Sequence, residues 1–304
     1  MGRVLRGQEQ IKITCTMELA HGCRILVLFP LILLVGTCLA QVGNNSGAAL
    51  SFNELPISFV KGNFSHFEID RLGNVFTLGT SRQITKYNKL GDSTVRYDNV
   101  RSYGEVSQID VSNPLKIAVF YRDFAKIVAL DRYLSPVNSI DLGNAGIWEI
   151  TSVATSYDNQ YWIFDRQEAK IKKIDGKGVV NFASSDLRQV FDRDINFVKL
   201  IDMDGLLYCY DSDLGWYIFD YYGALNQKIE ISHLVDLQVT NGLLTGRLGD
   251  SLWLVSTKDL MSLPIWLKLP KNDEELRQIY FDPSKSKLWV LLASGIYYFD
   301  VHVK

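Results

Sequence analysis

The 304-residue chain has little cysteine, little histidine and almost no net charge. Of its four cysteines, Cys15, Cys23 and Cys38 fall within the first 40 residues, so Cys209 alone stands in the remainder. That remainder has no internal disulfide, and its core must hold it together. The histidines beyond residue 40 are His66, His233 and His302. None has the spacing of a zinc site. A net charge of −2 argues against nucleic acid as a main partner, because phosphate binding needs a basic surface. Proline and glycine, 7 and 22 residues, are too few for a disordered or collagenous chain. No G-x-S-x-G, phosphate-loop or dinucleotide fingerprint occurs, so nothing here marks a familiar hydrolase or nucleotide enzyme.

The longest apolar run, "ILVLFPLILLVGTCLA" at 25–40, follows Arg24. It is short for a membrane span, and Pro30 interrupts it. Its end, Cys38-Leu39-Ala40 before Gln41, fits a small-x-small cleavage site. Residues 1–40 are therefore expected to be a signal peptide whose working start is Met17, with 41–54 a linker and 55–304 the folded domain. Two alternatives stay open. One is a lipoprotein signal with Cys38 lipidated, for which Thr37 is a poor neighbour; the other is a retained anchor. The expectation is a secreted or periplasmic protein without a transmembrane span after cleavage. Removing residues 1–40 takes away four basic and two acidic residues and carries the net charge from −2 to −4.

The rest of the chain repeats. The segments "ITKYN", "IVALD", "IKKID", "YIFD" and "YYFD" end at Asn88, Asp131, Asp175, Asp220 and Asp300, at intervals of 43, 44, 45 and 80. The last interval is close to two periods, which places a fifth unit near residue 260 with a degenerate turn. Before each segment stands a second apolar run: "NVFTLG", "KIAVFY", "QYWIFD", "LLYCYD", "SLWLVS" and "KLWVLL". An earlier run precedes each of these: "HFEID", "SQID", "EITSVAT", "FVKLID", "LQVTNG" and "RQIYFD". Short runs rich in β-branched and aromatic residues, bounded by turn residues, read as strands. Many are apolar on both faces, so both faces of their sheets are covered. Six such units predict an all-β fold, a six-bladed β-propeller in which neighbouring blades bury one another's faces. The last unit lacks a fourth, outer strand. "LPISFV" at 55–60 is positioned to complete that blade and close the ring.

The pattern resembles the six-bladed propellers of the NHL-like type. Asp70-Arg71-Leu72-Gly73-Asn74-Val75-Phe76 carries the D-x-x-G-N-x-aromatic turn, and Ile84-Thr85-Lys86-Tyr87-Asn88-Lys89-Leu90-Gly91 carries the I-x-K-hydrophobic-polar-x-x-G segment. The third unit keeps Ile171, Lys173, Ile174, Asp175 and Gly178; the fourth keeps Asp220 and Gly223; the second has Leu134 in place of the glycine. The resemblance implies a fold shared by scaffolds, binding modules and some hydrolases and lyases, and so no single reaction.

In "IFDYYG" at 218–223 the resemblance separates architecture from surface. Asp220 and Gly223 occupy the first and fourth turn positions. Tyr221 and Tyr222 are not needed for the turn and form a candidate exposed aromatic patch. Candidate binding residues come from loops expected at one channel mouth: Arg82, Arg122, Asp123, Trp148, Glu149, Asp165, Arg166, Asp211 and Asp213. No catalytic residue and no cofactor is assigned. The expectation is a non-catalytic binding or scaffold module for a protein of the cell envelope or another macromolecule. Two alternatives differ in class. One is a metal-assisted, lactonase-like hydrolase with a divalent ion in the channel, for which Asp165, Asp211 and Asp213 are candidate ligands. The other is a small-ligand or carbohydrate sensor that uses tyrosine and tryptophan rings.

Overall fold

The computed structural model describes residues 50–52, 55–98, 100–271 and 273–303. The expected signal peptide and most of the linker lie outside these residues.

Six antiparallel sheets follow one another along the chain. The first blade runs from Phe64–Ile69 through Val75–Gly79 and Ile84–Tyr87 to Ser93–Tyr97. The second starts at Gln108–Asp110 and ends at Pro136–Asp141, and the third starts at Ile150–Thr155 and ends at Val180–Ala183. The fourth runs from Phe197–Met203 to Leu225–Ile229, and the fifth from Val235–Thr240 to Ile265–Lys268. The sixth holds Gln278–Asp282, Lys287–Leu292 and Gly295–Val303. Its outer place is taken by Ile57–Lys61, which pairs antiparallel with Gly295–Val303 in the register Ile57↔Tyr298 and Lys61↔Gly295. Leu50–Phe52 continues along the same strand, Leu50 opposite Val303. The two ends of the domain are thus stitched into one blade, and the ring closes without a covalent bond.

The core reflects the doubly apolar strands. Buried apolar side chains fall into six clusters, each shared by two adjacent blades. Trp162, Phe164 and Ile171 of the third blade pack on Phe197, Cys209 and Tyr217 of the fourth. Phe64, Phe67 and Val75 of the first meet Trp289, Leu291 and Ile296 of the sixth. Each fully buried side chain of this size contributes on the order of 1.5–3 kcal/mol. No blade covers its own faces, so stability comes from the closed ring.

The repeated turns carry one mechanism. Asp220 Oδ1 accepts hydrogen bonds from the amides of Tyr222 and Ala224, both at 2.9 Å, and Gly223 has φ +85°. Asn88 and Asp175 do the same for Leu90 and Asp92, and for Lys177 and Val179. In the second blade Leu134 takes the glycine's place at φ +58° and stays buried, while Asp131 makes both turn bonds. In the fifth blade Ser256 replaces the acid and accepts from Lys258 N at 3.2 Å.

The fifth blade corrects the strand assignment. "SLWLVS", expected as the second strand, is the third, because Leu243–Leu248 intervenes. That strand, "LLTGRL", carries a central glycine and an arginine and reads as a loop. Gly246 lies close against Leu234, whose Cδ1 a Cβ there would meet at 2.8 Å, so a larger residue would have to displace that side chain.

Candidate functional site

The six inner strands surround a central channel. One cavity of about 460 Å³ is lined from all six, by residues such as Glu68, Asp110, Ala154, Lys199, Gln238 and Tyr280. It extends among the turns that join first to second strands. Its charged lining is six acids (Glu68, Asp70, Asp110, Asp202, Asp204, Asp282) and three bases (Arg71, Lys199, Lys285).

Inner strands of adjacent blades belong to different sheets, so their junctions rely on side chains. Gln108 donates through Nε2 to Val153 O at 2.5 Å and accepts from Val153 N at 3.2 Å. Gln278 holds both backbone groups of Phe67, at 2.9 and 2.8 Å. Gln238 bonds Ile279 O and Phe281 N, both at 3.1 Å. Asp110 accepts from Thr155 N at 2.6 Å. Asp202 of the fourth blade accepts from Ser156 Oγ and Trp162 Nε1 of the third, both at 2.8 Å, and from Tyr221 Oη at 2.5 Å. The three glutamines and Asp110 thus imitate the missing backbone ladder, and Asp202 collects side-chain donors; both satisfy groups that would otherwise be costly to bury.

Two contacts cross the channel between the first and fourth blades. Lys199 Nζ lies 3.9 Å from Glu68 Oε1, and Arg71 Nη2 lies 3.9 Å from Met203 Sδ. His66 Nε2 is 3.0 Å from the same Glu68 oxygen. Burial pushes the Glu68 carboxyl upward, but Lys199 and then His66 outweigh it and hold it below the ordinary carboxylate value. Asp236 has the opposite balance. Burial raises it above the ordinary value in spite of Arg247, whose Nε is 2.5 Å away, and of the Ile279 amide at 3.1 Å. Tyr280, mostly buried beside Asp282 and Glu68, is pushed up to about 12.

None of the nine loop residues expected at a channel mouth lines this cavity. They stand at turns between second and third strands or between blades, at the opposite strand ends from the cavity's turns. Arg82 pairs with Glu105. Arg122 donates to Thr151 O at 3.0 Å, and Asp123 is exposed beside it. Trp148 is largely exposed and lies over Gly143, where a Cβ would meet its ring at 2.4 Å. The Glu149 carbonyl accepts from the Arg166 amide at 2.8 Å. The blade 2–3 junction therefore brings together Arg122, Trp148, Glu149 and Arg166. Asp165 and Asp211 end second strands, one strand out from the axis, and both are buried. Asp165 accepts from Lys172 Nζ at 2.7 Å; Asp211 caps its turn by accepting from Asp213 N and Leu214 N through Oδ1, and through Oδ2 accepts from Asn196 N at the start of the blade. Asp213 is exposed, 4.0 Å from His233. Of the two tyrosines, Tyr222 is 90% exposed, whereas Tyr221 turns inward onto Trp162 and Asp202.

Sequence reasoning passed over Glu68, Gln108, Lys199, Asp202, Gln238 and Gln278. For Glu68, Gln108, Gln238 and Gln278 the signal is a polar residue at alternate positions of the first run, as in "HFEID", "SQID" and "RQIYFD"; Lys199 and Asp202, three positions apart in "FVKLID", do not follow it.

No protein-family model matches the chain, and no curated protein matches it in sequence. Solved structures do match in shape. A streptogramin B lyase is 15% identical, with a TM-score of 0.53 over 78% of each chain. A catalytically inactive virginiamycin B lyase from Staphylococcus aureus, solved with quinupristin, is 11% identical, with a TM-score of 0.54 over 84% of this chain and 100% of that one. A chain of a mitotic checkpoint complex is 11% identical, with a TM-score of 0.51 over 78% of this chain and 74% of that one. At such identities the likeness is one of fold, and together with the six sheets and six shared cores it establishes an all-β, six-bladed β-propeller.

Proposed function

We propose that this chain is a secreted or periplasmic propeller of the NHL-like type that acts as a non-catalytic binding module for a protein of the cell envelope. The observation that carries this reading is the use of the channel's polar side chains. Gln108, Asp110, Asp202, Gln238 and Gln278 are committed to holding blades together. The working surface is then the rim. The outer strand of the fifth blade, Ile265–Lys268, exposes Ile265 and Trp266 along its open edge. The preceding turn exposes Met261 and Leu263, and Leu225 stands exposed on the outer strand of the fourth blade. Gln227 Nε2, 2.8 Å from Met261 Sδ, connects the two blades. An open edge bearing apolar side chains suits an added strand from a partner, with pockets for alternate side chains.

A photo-crosslinking residue placed at Trp266 or Met261, and at Tyr133 of the second blade as a comparison, tests this in the native envelope. The reading expects one discrete protein adduct from the fifth-blade positions and none from Tyr133. Equal labelling at all positions, or none at any, rejects it.

A second reading rests on the ionisable pair of Glu68 and Lys199 in the channel, with His66 beside Glu68, although among the described residues no three His, Cys, Asp or Glu side chains come together as a metal site. It is a metal-assisted hydrolase, or a sensor of a small ligand. Thermal unfolding with EDTA and then with calcium, manganese and zinc tests the metal form, because an ion bound only by the native state raises its Tm. A rise of several degrees that Glu68→Gln abolishes would place an ion at that carboxyl and support that form; an unchanged Tm with every ion removes its support.

A further inference from the structure

The strands of each blade alternate in direction, so the turns joining first to second and third to fourth strands all lie at one end of the propeller. The six most exposed large apolar side chains among the described residues, from Tyr157 at 73% to Tyr222 at 90%, are all at that end. Tyr157 stands in the first-to-second turn of the third blade, and Leu90, Tyr222, Met261 and Leu263 stand in third-to-fourth turns. Leu55 precedes the closing strand, between Phe52 opposite Val301 and Ile57 opposite Tyr298. The turns headed by Asn88 and Asp220 use the amides of Leu90 and Tyr222 and ask nothing of their side chains. At the other end the most exposed is Trp148, at 62%, and its ring lies over Gly143.

The third-to-fourth turns, farthest from the axis, expose four cations, Lys89, Arg132, Lys177 and Lys258, against two acids, Asp92 and Asp259. The carboxylates that head these turns, Asp131, Asp175 and Asp220, are turned back to accept the turn amides. Lys89 meets Lys285 over Gly73, where a Cβ would stand 3.4 Å from Lys89 Cε and 3.5 Å from Lys285 Nζ; Lys285 also pairs with Asp282. Towards the axis the balance reverses, with the acids that line the channel. The chain enters the domain from the same end. Gly295–Val303 runs towards it, and Leu50 pairs with Val303 at its finish. Residues 41–49 alone separate Leu50 from the apolar run at 25–40, a reach of no more than about 30 Å.

We propose that this end of the propeller is a docking face for a bilayer that contains anionic phospholipid. The apolar turn tips enter the interface, and the cations of the outer turns meet the headgroup phosphates. The distribution of side chains selects this occupant. A protein interface has an apolar core inside a polar rim, whereas here separate apolar tips surround a polar channel mouth. A fluid interface takes such tips one by one, each contributing its own buried area, and cations placed among them add attraction to anionic lipid. The entry of the chain agrees with it. An apolar run retained in the membrane, or a lipid on Cys38, would hold this end nearest the bilayer. The proposal goes beyond the envelope-protein reading, and its test leaves the fifth blade untouched.

Residues 46–304 form a compact unit whose ring closes through Leu50–Phe52 and Ile57–Lys61, so a chain of 41–304 tests the face without the apolar run. Flotation with vesicles of phosphatidylcholine alone, and of equal parts phosphatidylcholine and phosphatidylglycerol, measures binding. Saturable binding to the mixed vesicles is expected, with affinity for phosphatidylcholine at least about fivefold weaker. Leu90→Ser combined with Tyr222→Ser should weaken binding about tenfold or more, and Lys89→Gln about threefold to fivefold on the mixed vesicles only. Val190→Ser, at an exposed residue of the opposite end, should leave binding unchanged. Thermal unfolding establishes that each variant is folded. Should the double variant fail to fold, Tyr133→Ser carries the test and is expected to weaken binding about threefold. In the full chain, reconstituted in mixed vesicles with brominated lipid, a fluorescent residue in place of Tyr222 should be quenched and one in place of Asp123 should not. No binding to the mixed vesicles, unchanged affinity in the tip variants, or equal quenching at the two positions overturns the proposal. Equal binding to both kinds of vesicle overturns the part assigned to the cations. Protein adducts at Trp266 are indifferent to all of these results, so the two readings fail separately.

Discussion

Lys199 of the fourth blade and Glu68 of the first reach across the channel to within 3.9 Å of each other. These blades stand opposite one another in a ring of six, so the pair braces the channel. Glu68 is held below its ordinary value by Lys199 and His66 in spite of burial. A carboxyl whose folded value is depressed stabilises the fold above its unfolded value, and the contribution is lost as pH falls through the folded value. The wild type should therefore lose stability as pH falls from the ordinary glutamate value through the lower folded one. Glu68→Gln should flatten that part of the profile. Urea unfolding at a series of pH values from 7 downward measures this; parallel profiles for the two proteins would show that the pair contributes nothing.

Tyr221 and Tyr222 are neighbours with different duties. Tyr221→Phe removes the hydroxyl that donates to Asp202 at 2.5 Å, and a lost bond to a charged acceptor costs about 1.5–3 kcal/mol. The Tyr221 hydroxyl is raised far above its ordinary value, by burial first and then by Asp202, so it stays a donor throughout the neutral range. Tyr222→Ala, at a residue 90% exposed, should change stability by less than about 0.5 kcal/mol. Chemical denaturation of both variants checks the difference, and equal losses would contradict it.

The turn glycines separate conformational strain from contact. Gly205 has φ +83° and open space within 4 Å of where a Cβ would stand, whereas Gly223 has φ +85° and a Cβ there would meet Phe182 Cζ at 3.0 Å. Gly205→Ala should cost about 1 kcal/mol for the left-handed backbone alone. Gly223→Ala should cost about 1 kcal/mol more, for the displaced ring. Thermal unfolding of the two variants side by side gives the comparison.

The architecture was legible because its determinants are local. Runs apolar on both faces specify strands covered on both sides, and acid-to-glycine spacing specifies turns such as Asp220–Gly223. The spacing marked the architecture even where a residue had changed. Leu134 holds the left-handed turn without being glycine because Asp131 supplies the same two bonds and the side chain is buried. The fifth blade was misread because Gly246 answers to Leu234, a neighbour close only in the fold. The channel was illegible for a related reason. Glu68 and Lys199 are far apart in the chain and meet only after closure, and Gln108 looks like any polar strand residue until Val153 lies beside it. The acids that stood out in sequence as candidate ligands, Asp165 and Asp211, each accept from turn amides in the structure, and Asp165 also pairs with Lys172.

Ring closure by Ile57–Lys61 has a direct consequence. A chain beginning at Asn63 leaves the edge of Gly295–Val303 without its partner and bares a strand between Trp289 and solvent, where Phe59 now packs 5.0 Å from the indole. An unpaired apolar edge is a template for association. The shortened protein should melt several degrees lower and elute as a mixture of oligomers in size-exclusion chromatography. A monomer of unchanged Tm would show that three strands suffice for the sixth blade.

Asp236 and Arg247 are the pair in which burial prevails. Their side chains are 9% and 14% exposed, and Asp236 remains above its ordinary value even with the guanidinium at 2.5 Å. Arg247→Met removes the cation and leaves the carboxylate buried against the Ile279 amide, which costs about 3–5 kcal/mol at neutral pH. The pH dependence has a defined sign. A carboxyl with a raised folded value binds its proton more readily in the folded state, so its penalty is present above that value and disappears as pH falls through it. Without Arg247 the folded value rises further, and the deficit of the variant relative to wild type should shrink on acidification from pH 7 towards pH 5. The same comparison on an Asp236→Asn, Arg247→Met background should show a deficit that does not vary over this range, because the titrating group is gone. A deficit in the single variant that stays constant with pH would place the loss in the packing of the arginine stem, and in its bond to Arg277 O at 3.2 Å, instead of in the charge.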